Sequence, residues 1–311
     1  MKHCILALSV AALLPRLALA QSTAEELLAR MSVEERAGQL LVSWILSKED
    51  GQAANREKLR AAIRDAGLGG VILSIGPVAD AAALVADLQS VSRVPLLVAA
   101  DFEGSVAFRM PGATEMGNQM LVGATGLDRM AFAMGRVTGS EAMALGIPWC
   151  FAPVLDVNSN PDNPIINVRS FGEDPALVAR LGTALAAGIR SAGAIPCGKH
   201  FPGHGDVNTD SHLALATVPG DAARLRSVEL LPFRVASAAG LESVMSGHLA
   251  VPGLGEDPAV PATLSKRILT DELRGNLGFQ GLVVTDALDM GGVKGAFPPE
   301  EVAIRALLAG A

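Results

Sequence analysis

Seven short, almost uninterrupted apolar runs recur along the chain, separated by amphipathic stretches. They read LLVSW (40–44), GGVILS (69–74), PLLVAADFEG (95–104), PWCFAPVLDV (148–157), AIPCGKH (194–200), SVMSGHL (243–249) and GLVVTDAL (281–288). A strand with one wet face alternates apolar and polar residues, whereas a strand covered on both faces does not. The runs therefore predict parallel strands buried under helices. The stretches NREKLRAAIRDAG, PALVARLGTALAAGIRSAG and SKRILTDELRGNLG between them carry helical spacing and end in glycine, as helices do. Repeated strand–helix units leave two architectures, an open doubly wound sheet or a closed (β/α)8 barrel.

The polar residues at the strand ends choose between them. Asp101 and Glu103, Asp156, Lys199 and His200, His248, and Asp286 each close a different run. A barrel spreads its chemistry over many strand ends, while an open sheet concentrates it at one switch point. No Gly-x-Gly-x-x-Gly follows a strand and no P-loop is present. The expected class is α/β, a TIM-type barrel. Such a barrel needs eight strands and seven runs can be counted. The chain stops at AIRALLAGA, a helix with no strand after it. The expectation is a barrel truncated before its last strand, with a further apolar strand beyond Ala311.

Residues 1–20 read as a secretory signal. Lys2 gives a positive start, Ile5 to Leu14 are apolar but too short to span a membrane, and Ala18-Leu19-Ala20 is a small-x-small cleavage site. Residues 21–311 would then form one exported domain, periplasmic or extracellular, with no membrane span after cleavage. The net charge of −7, without any basic stripe, argues against a nucleic-acid partner. Cys4 leaves with the signal. Cys150 and Cys197 lie inside apolar runs and are expected to be buried thiols rather than a disulfide.

One loop, KHFPGHGDVNTDSH (199–212), holds three of the five histidines. His200 and His204 have the spacing of two zinc ligands on a helix, and His212 could be a third. Pro202, Gly203 and Gly205 oppose a helix there, and Lys199 would set a cation beside the metal. Acid–base chemistry fits better. Asp210 and His212 are two apart, so in an extended segment both side chains point the same way. A carboxylate beside an imidazole makes a usable general acid and base near neutrality. Asp286, ending LVVTD, would serve as a nucleophile, or it could merely cap the following helix.

These motifs also occur in a recognisable order. MSVEERAGQLL (31–41), DFEGSVAFR (101–109), NVRSFGED (167–174), the long histidine loop, ELLPFR (229–234), PATLS (261–265) and VVTDALDM (283–290) together resemble the β-N-acetylglucosaminidases of glycoside hydrolase family 3. The resemblance covers nearly all of residues 21–311, and the histidine loop is its most specific part. It implies a retaining, cofactor-free and metal-free exo-glycosidase acting on a carbohydrate bearing terminal β-N-acetylglucosamine, such as a peptidoglycan fragment. It implies Asp286 as nucleophile and His212 with Asp210 as acid/base. It further implies Asp101, Arg109, Arg169, Lys199 and His200 as sugar-binding residues. Retaining glycosidases usually use two carboxylates ~5 Å apart, so a histidine in the second place departs from the common pattern.

The DFEGSVAFR segment departs from the family's usual Asp-Gln-Glu-Gly-Gly-Arg-Val at Phe102, Ser105, Val106 and Ala107. Hydroxyl recognition should persist through Asp101, Glu103, Gly104 and Arg109, while the pocket rim should change. A β-glucosidase within the family, a zinc hydrolase and a non-catalytic sugar-binding protein remain as rival readings.

Overall fold

The computed structural model describes residues 24–48, 50–294 and 297–311, so the signal-like residues 1–20 lie outside it. Seven strands form one sheet: β1 (Val42–Leu46), β2 (Gly70–Ser74), β3 (Leu97–Ala100), β4 (Trp149–Cys150), β5 (Ile195–Phe201), β6 (Ser243–Ser246) and β7 (Leu282–Thr285). Each of the seven apolar runs supplies one strand. Neighbours pair in parallel and in chain order, as in a (β/α)8 barrel, and among the described residues β1 and β7 are the two edges. Helices such as Ala53–Ala66, Val78–Ser90, Asp128–Ala144, Pro175–Ser191 and Leu230–Ala238 connect them.

Which side chains meet defines the two faces of the sheet. One cluster draws alternate residues from every strand or its continuation: Val42, Ile72, Leu97, Ala99, Trp149, Phe151, Ile195, Cys197, Met245 and Val284. These side chains line one continuous face of the sheet, which in a (β/α)8 barrel is the interior. Trp149 and Phe151 meet edge to face at 5.0 Å, and the indole Nε1–H donates to Ser243 Oγ at 2.8 Å, so the buried ring is fully paired. The opposite faces of the strands, including Val71, Leu73, Val98 and Cys150, pack beneath Leu84, Leu88, Leu181 and Leu185 of the helices.

Cys150 and Cys197 therefore point to opposite sides of the sheet. Both are free and buried, and burial pushes each thiol up to about 12. Two expectations change in detail. The fourth run keeps only Trp149–Cys150 in the ladder, since Pro153 has no N–H to offer a neighbour, and pairing survives beyond it as a Val154–Lys199 bridge. The last amphipathic stretch is wound as a π-helix, Arg267–Asn276, which buries Ile268, Leu269 and Leu273 and leaves Glu272 to pair with Arg226.

Candidate active site

The alternation that fills the barrel interior does not stop where the cluster ends. Ile195 and Cys197 face inward on β5, so Lys199 follows them; Leu97 and Ala99 are followed by Asp101, and Val284 by Asp286. Each charged residue thus comes to the mouth at the C-terminal ends of the strands. His200 should by the same rule face away. A register shift between Gly198 and Phe201 in the pairing of β5 with β6 breaks the alternation, and such a bulge re-aims a side chain.

Lys199 is the hub of the floor. It is almost wholly buried, and its Nζ donates to Asp101 Oδ1 at 2.7 Å and lies 2.8 Å from Glu103 Oε1. Arg109 reaches the other oxygen of Asp101 at 2.9 Å. Arg169 grips Glu103 with two bonds of 2.9 and 2.8 Å and lies 3.3 Å from His200 Nε2. His200 Nδ1 in turn meets Asp156 Oδ2 at 2.8 Å. The structure thus joins all five sequence-predicted sugar residues, Asp101, Arg109, Arg169, Lys199 and His200, in one network. Glu103 and Asp156 complete it.

Charge balance keeps these groups ionised. Burial opposes the charge on Glu103, but Lys199 and Arg169 outweigh it and hold its carboxyl far below the usual range. Burial likewise opposes charge on Asp101, which Lys199 and Arg109 draw down. Lys199 is destabilised by burial yet raised overall by Asp101 and Glu103. Three cations, Lys199, Arg109 and Arg169, face three carboxylates, Asp101, Glu103 and Asp156. Such a floor offers donors and acceptors without net charge, which suits sugar hydroxyls better than an anion.

The histidine loop runs on from β5 without helix, as Pro202 and its two glycines favour. Gly205 passes so close to Val157 that an added Cβ would stand 1.7 Å from the Val157 carbonyl oxygen. Asp210 and His212 do meet, with Nδ1 2.6 Å from Oδ1, but the segment is a turn rather than extended. The same Asp210 oxygen accepts the His212 backbone N–H at 2.9 Å, and Leu213 N–H donates to the Asp210 carbonyl at 3.0 Å. An aspartate bonding the backbone two residues on is a turn former, and that local bond overrides the extended geometry. Burial opposes charge on Asp210, yet the backbone and ring N–H groups of His212 outweigh it and hold its carboxyl below the ordinary range. The His212 ring is half exposed, at 54%.

Asp286 follows β7 and is half-buried. Its N–H donates to the Ser246 carbonyl at 3.0 Å, and its Oδ1 accepts the Ala287 N–H at 2.8 Å. Buried His248 sits beside it, Nε2 2.9 Å from the Ala287 carbonyl. Burial lowers the basicity of His248, and the nearby Asp286 carboxylate only partly offsets it. The loop after Asp286 also touches the Asp210–His212 turn: Gly291 N–H donates to the His212 carbonyl at 2.9 Å and Gly292 N–H to the Ser211 carbonyl at 3.0 Å.

The three loop histidines do not converge. His200 pairs with Asp156, His204 Nε2 with Ser211 Oγ at 2.8 Å, and His212 with Asp210. Among the described residues no group of three or more His, Cys, Asp or Glu is arranged to hold a metal ion. Of the departures in DFEGSVAFR, Phe102, Ser105 and Val106 are buried and Ala107 is half-buried; Phe102 and Val106 join the core under the helices. Asp174 caps the helix Pro175–Ser191 through Ala176 N–H at 2.8 Å, leaving Arg169 to the site.

The described residues include no helix long and apolar enough to cross a membrane. The family model described as the glycosyl hydrolase family 3 N-terminal domain matches residues 32–311. A curated relative named beta-N-acetylglucosaminidase/beta-glucosidase, from Cellulomonas fimi, is 36% identical over 293 residues, covering 91% of this chain and 50% of the relative. Beta-hexosaminidase A from Pseudoalteromonas piscicida is 41% identical over 237 residues, covering 71% of this chain and 40% of the relative. The chain thus spans half or less of the length of these relatives. The solved family 3 β-N-acetylglucosaminidase from Paenibacillus sp. str. FPU-7 superposes with a TM-score of 0.83 at 39% identity, covering 90% of this chain and 54% of that one.

Proposed function

This chain belongs to glycosyl hydrolase family 3, and we propose that within it the protein is a retaining exo-β-N-acetylglucosaminidase. The observation that carries this reading is the 2.6 Å Asp210–His212 pair on a turn bonded to the loop that follows Asp286. The names of its relatives support the hexosaminidase assignment. Asp101, Arg109, Arg169, Lys199 and His200 bind the non-reducing terminal sugar. Asp286 attacks the anomeric carbon while His212, protonated, gives its proton to the departing glycosidic oxygen. The bond to the aglycone breaks and an ester to Asp286 forms. A water then attacks the anomeric carbon, His212 takes its proton, and Asp286 leaves as carboxylate. Ionised Asp210 stabilises the imidazolium in both half-reactions. Reading residues 1–20 as an export signal places this activity in the periplasm or outside the cell, where peptidoglycan fragments are the matching substrate.

The test compares aryl β-N-acetylglucosaminide with aryl β-glucoside for the wild type and Asp286→Ala. The reading expects preference for the former, unchanged by chelator, and loss of all turnover in Asp286→Ala. A preference for the glucoside would favour the second activity in the Cellulomonas fimi relative's name. Binding of N-acetylglucosamine without hydrolysis of either substrate would make the protein a sugar-binding one.

A further inference from the structure

One buried bond near His212 has no part in the chemistry above. His204 Nε2 lies 2.8 Å from Ser211 Oγ, and both residues are 2% exposed. Ser211 sits between Asp210 and His212, so whatever grips Ser211 grips the acid/base turn. The His204 backbone N–H donates to Asp156 Oδ1 at 2.7 Å, and the other oxygen of that carboxylate meets His200 Nδ1 at 2.8 Å. One fully buried carboxylate thus anchors both the sugar-facing His200 and the histidine that grips the turn.

The second ring nitrogen of His204, Nδ1, is buried without a partner among the described residues. Leaving a buried polar group unpaired costs ~1–3 kcal/mol, a cost that an apolar side chain of similar size would not carry. The imidazole is explained only by what Nε2 does. Burial, reinforced by the neighbouring His200, pushes His204 down to about 4, so the ring is neutral and carries one proton. An orphaned N–H is rarer in proteins than an orphaned acceptor, which assigns the proton to Nε2 and makes Ser211 Oγ the acceptor. From the other side, Gly291 and Gly292 hold the same turn by its carbonyls, and an added Cβ on Gly291 would stand 2.3 Å from Leu213 backbone atoms. The turn is clasped between two supports while the His212 ring itself stays half exposed.

We propose that His204 is a positioning residue, donating to Ser211 so that the turn presents His212 to the glycosidic oxygen. The inference rests on the reading of His212 as acid/base. His204 touches no substrate, so its loss should act only through proton transfer. The experiment compares chitobiose, with a poor leaving group, and 2,4-dinitrophenyl β-N-acetylglucosaminide, with a good one, for wild type, His204→Ala, Ser211→Ala, the double variant, His204→Gln and His212→Ala. The single variants should lose roughly 10–100-fold in kcat on chitobiose with little change in KM, since small misplacements of a catalytic group cost that much. They should keep the dinitrophenolate burst. The double variant should be no worse than the worse single one. His204→Gln, whose amide can still donate to Ser211, should recover most of the loss. Should His204→Ala fail to fold, Ser211→Ala deletes the same bond and carries the same expectations. Equal losses on both substrates, additive losses, or none would overturn the proposal. If His212→Ala shows the leaving-group dependence and the Ser211 and His204 variants do not, this inference alone fails. If His212→Ala lacks it, the acid/base reading falls and this inference with it.

Discussion

His204 is a buried imidazole that stays neutral where a solvated one would charge. Its ordinary value lies near 6.5, and in the fold burial and His200 push it down to about 4. Below 6.5 the unfolded chain takes up a proton that the native protein refuses until about 4. This contribution to stability is therefore complete above 6.5, falls as the pH drops through the window, and is spent below about 4. It is worth on the order of 3 kcal/mol across that gap. Urea denaturation at several pH values should show His204→Gln losing less stability than wild type between pH ~6.5 and ~4. Equal slopes would contradict the neutral, buried assignment. At this scale the sequence was partly legible. The motif picked out Asp101, Arg109, Arg169, Lys199 and His200, and the structure joins them in one network. Glu103, Asp156 and His248 were visible as strand ends, but spacing does not tell a carboxylate that pairs inward from one that faces a ligand. His204 was visible only as one histidine of the loop, and its bond to Ser211 carried no signal, because that bond is made by a turn whose path depends on distant backbone.

That turn belongs to a larger element, the loop from Lys199 to His212, whose course is set by close approach to the segment after β4. Gly205 has no room for a side chain against Val157. Gly205→Ala should therefore displace the loop, destabilising the protein by well over the ~1 kcal/mol of an average substitution and reducing kcat more than KM. Denaturant titration and kinetics of the variant check this, and wild-type behaviour in both would contradict the described path of the loop. The strands were readable because burial on both faces leaves a continuous apolar signature, and all seven runs became strands. Their lengths were not readable where a proline interrupts the ladder, as Pro153 does, and nothing in the helical spacing of Arg267–Asn276 announced its π winding. The reach of His200 depended on a bulge that no local propensity announces.

Across the whole molecule, the seven-stranded sheet has two edges among the described residues, and apolar side chains line them. Trp44 on β1 is 59% exposed and Leu282 on β7 is 49% exposed, with Leu308 of the helix Pro299–Ala309 at 75%. Unpaired edges flanked by exposed apolar groups invite association. The 311-residue chain studied alone should self-associate in sedimentation velocity, and Trp44→Lys with Leu282→Lys should return it toward monomer. A concentration-independent monomer would contradict this. At the mouth of the same sheet stand Asp286, the Asp210–His212 turn and the network around Lys199, for which the catalytic and sugar-binding roles above are proposed. The most direct measurement is pre-steady-state turnover of 2,4-dinitrophenyl β-N-acetylglucosaminide by His212→Ala, set beside its steady-state turnover of chitobiose. General acid catalysis contributes ~10²–10⁴-fold where the leaving group needs a proton and little where it does not. The account predicts a full burst of dinitrophenolate, a slow steady state as water attacks unaided, and near-total loss on chitobiose. No burst, with equal losses on both substrates, would contradict it.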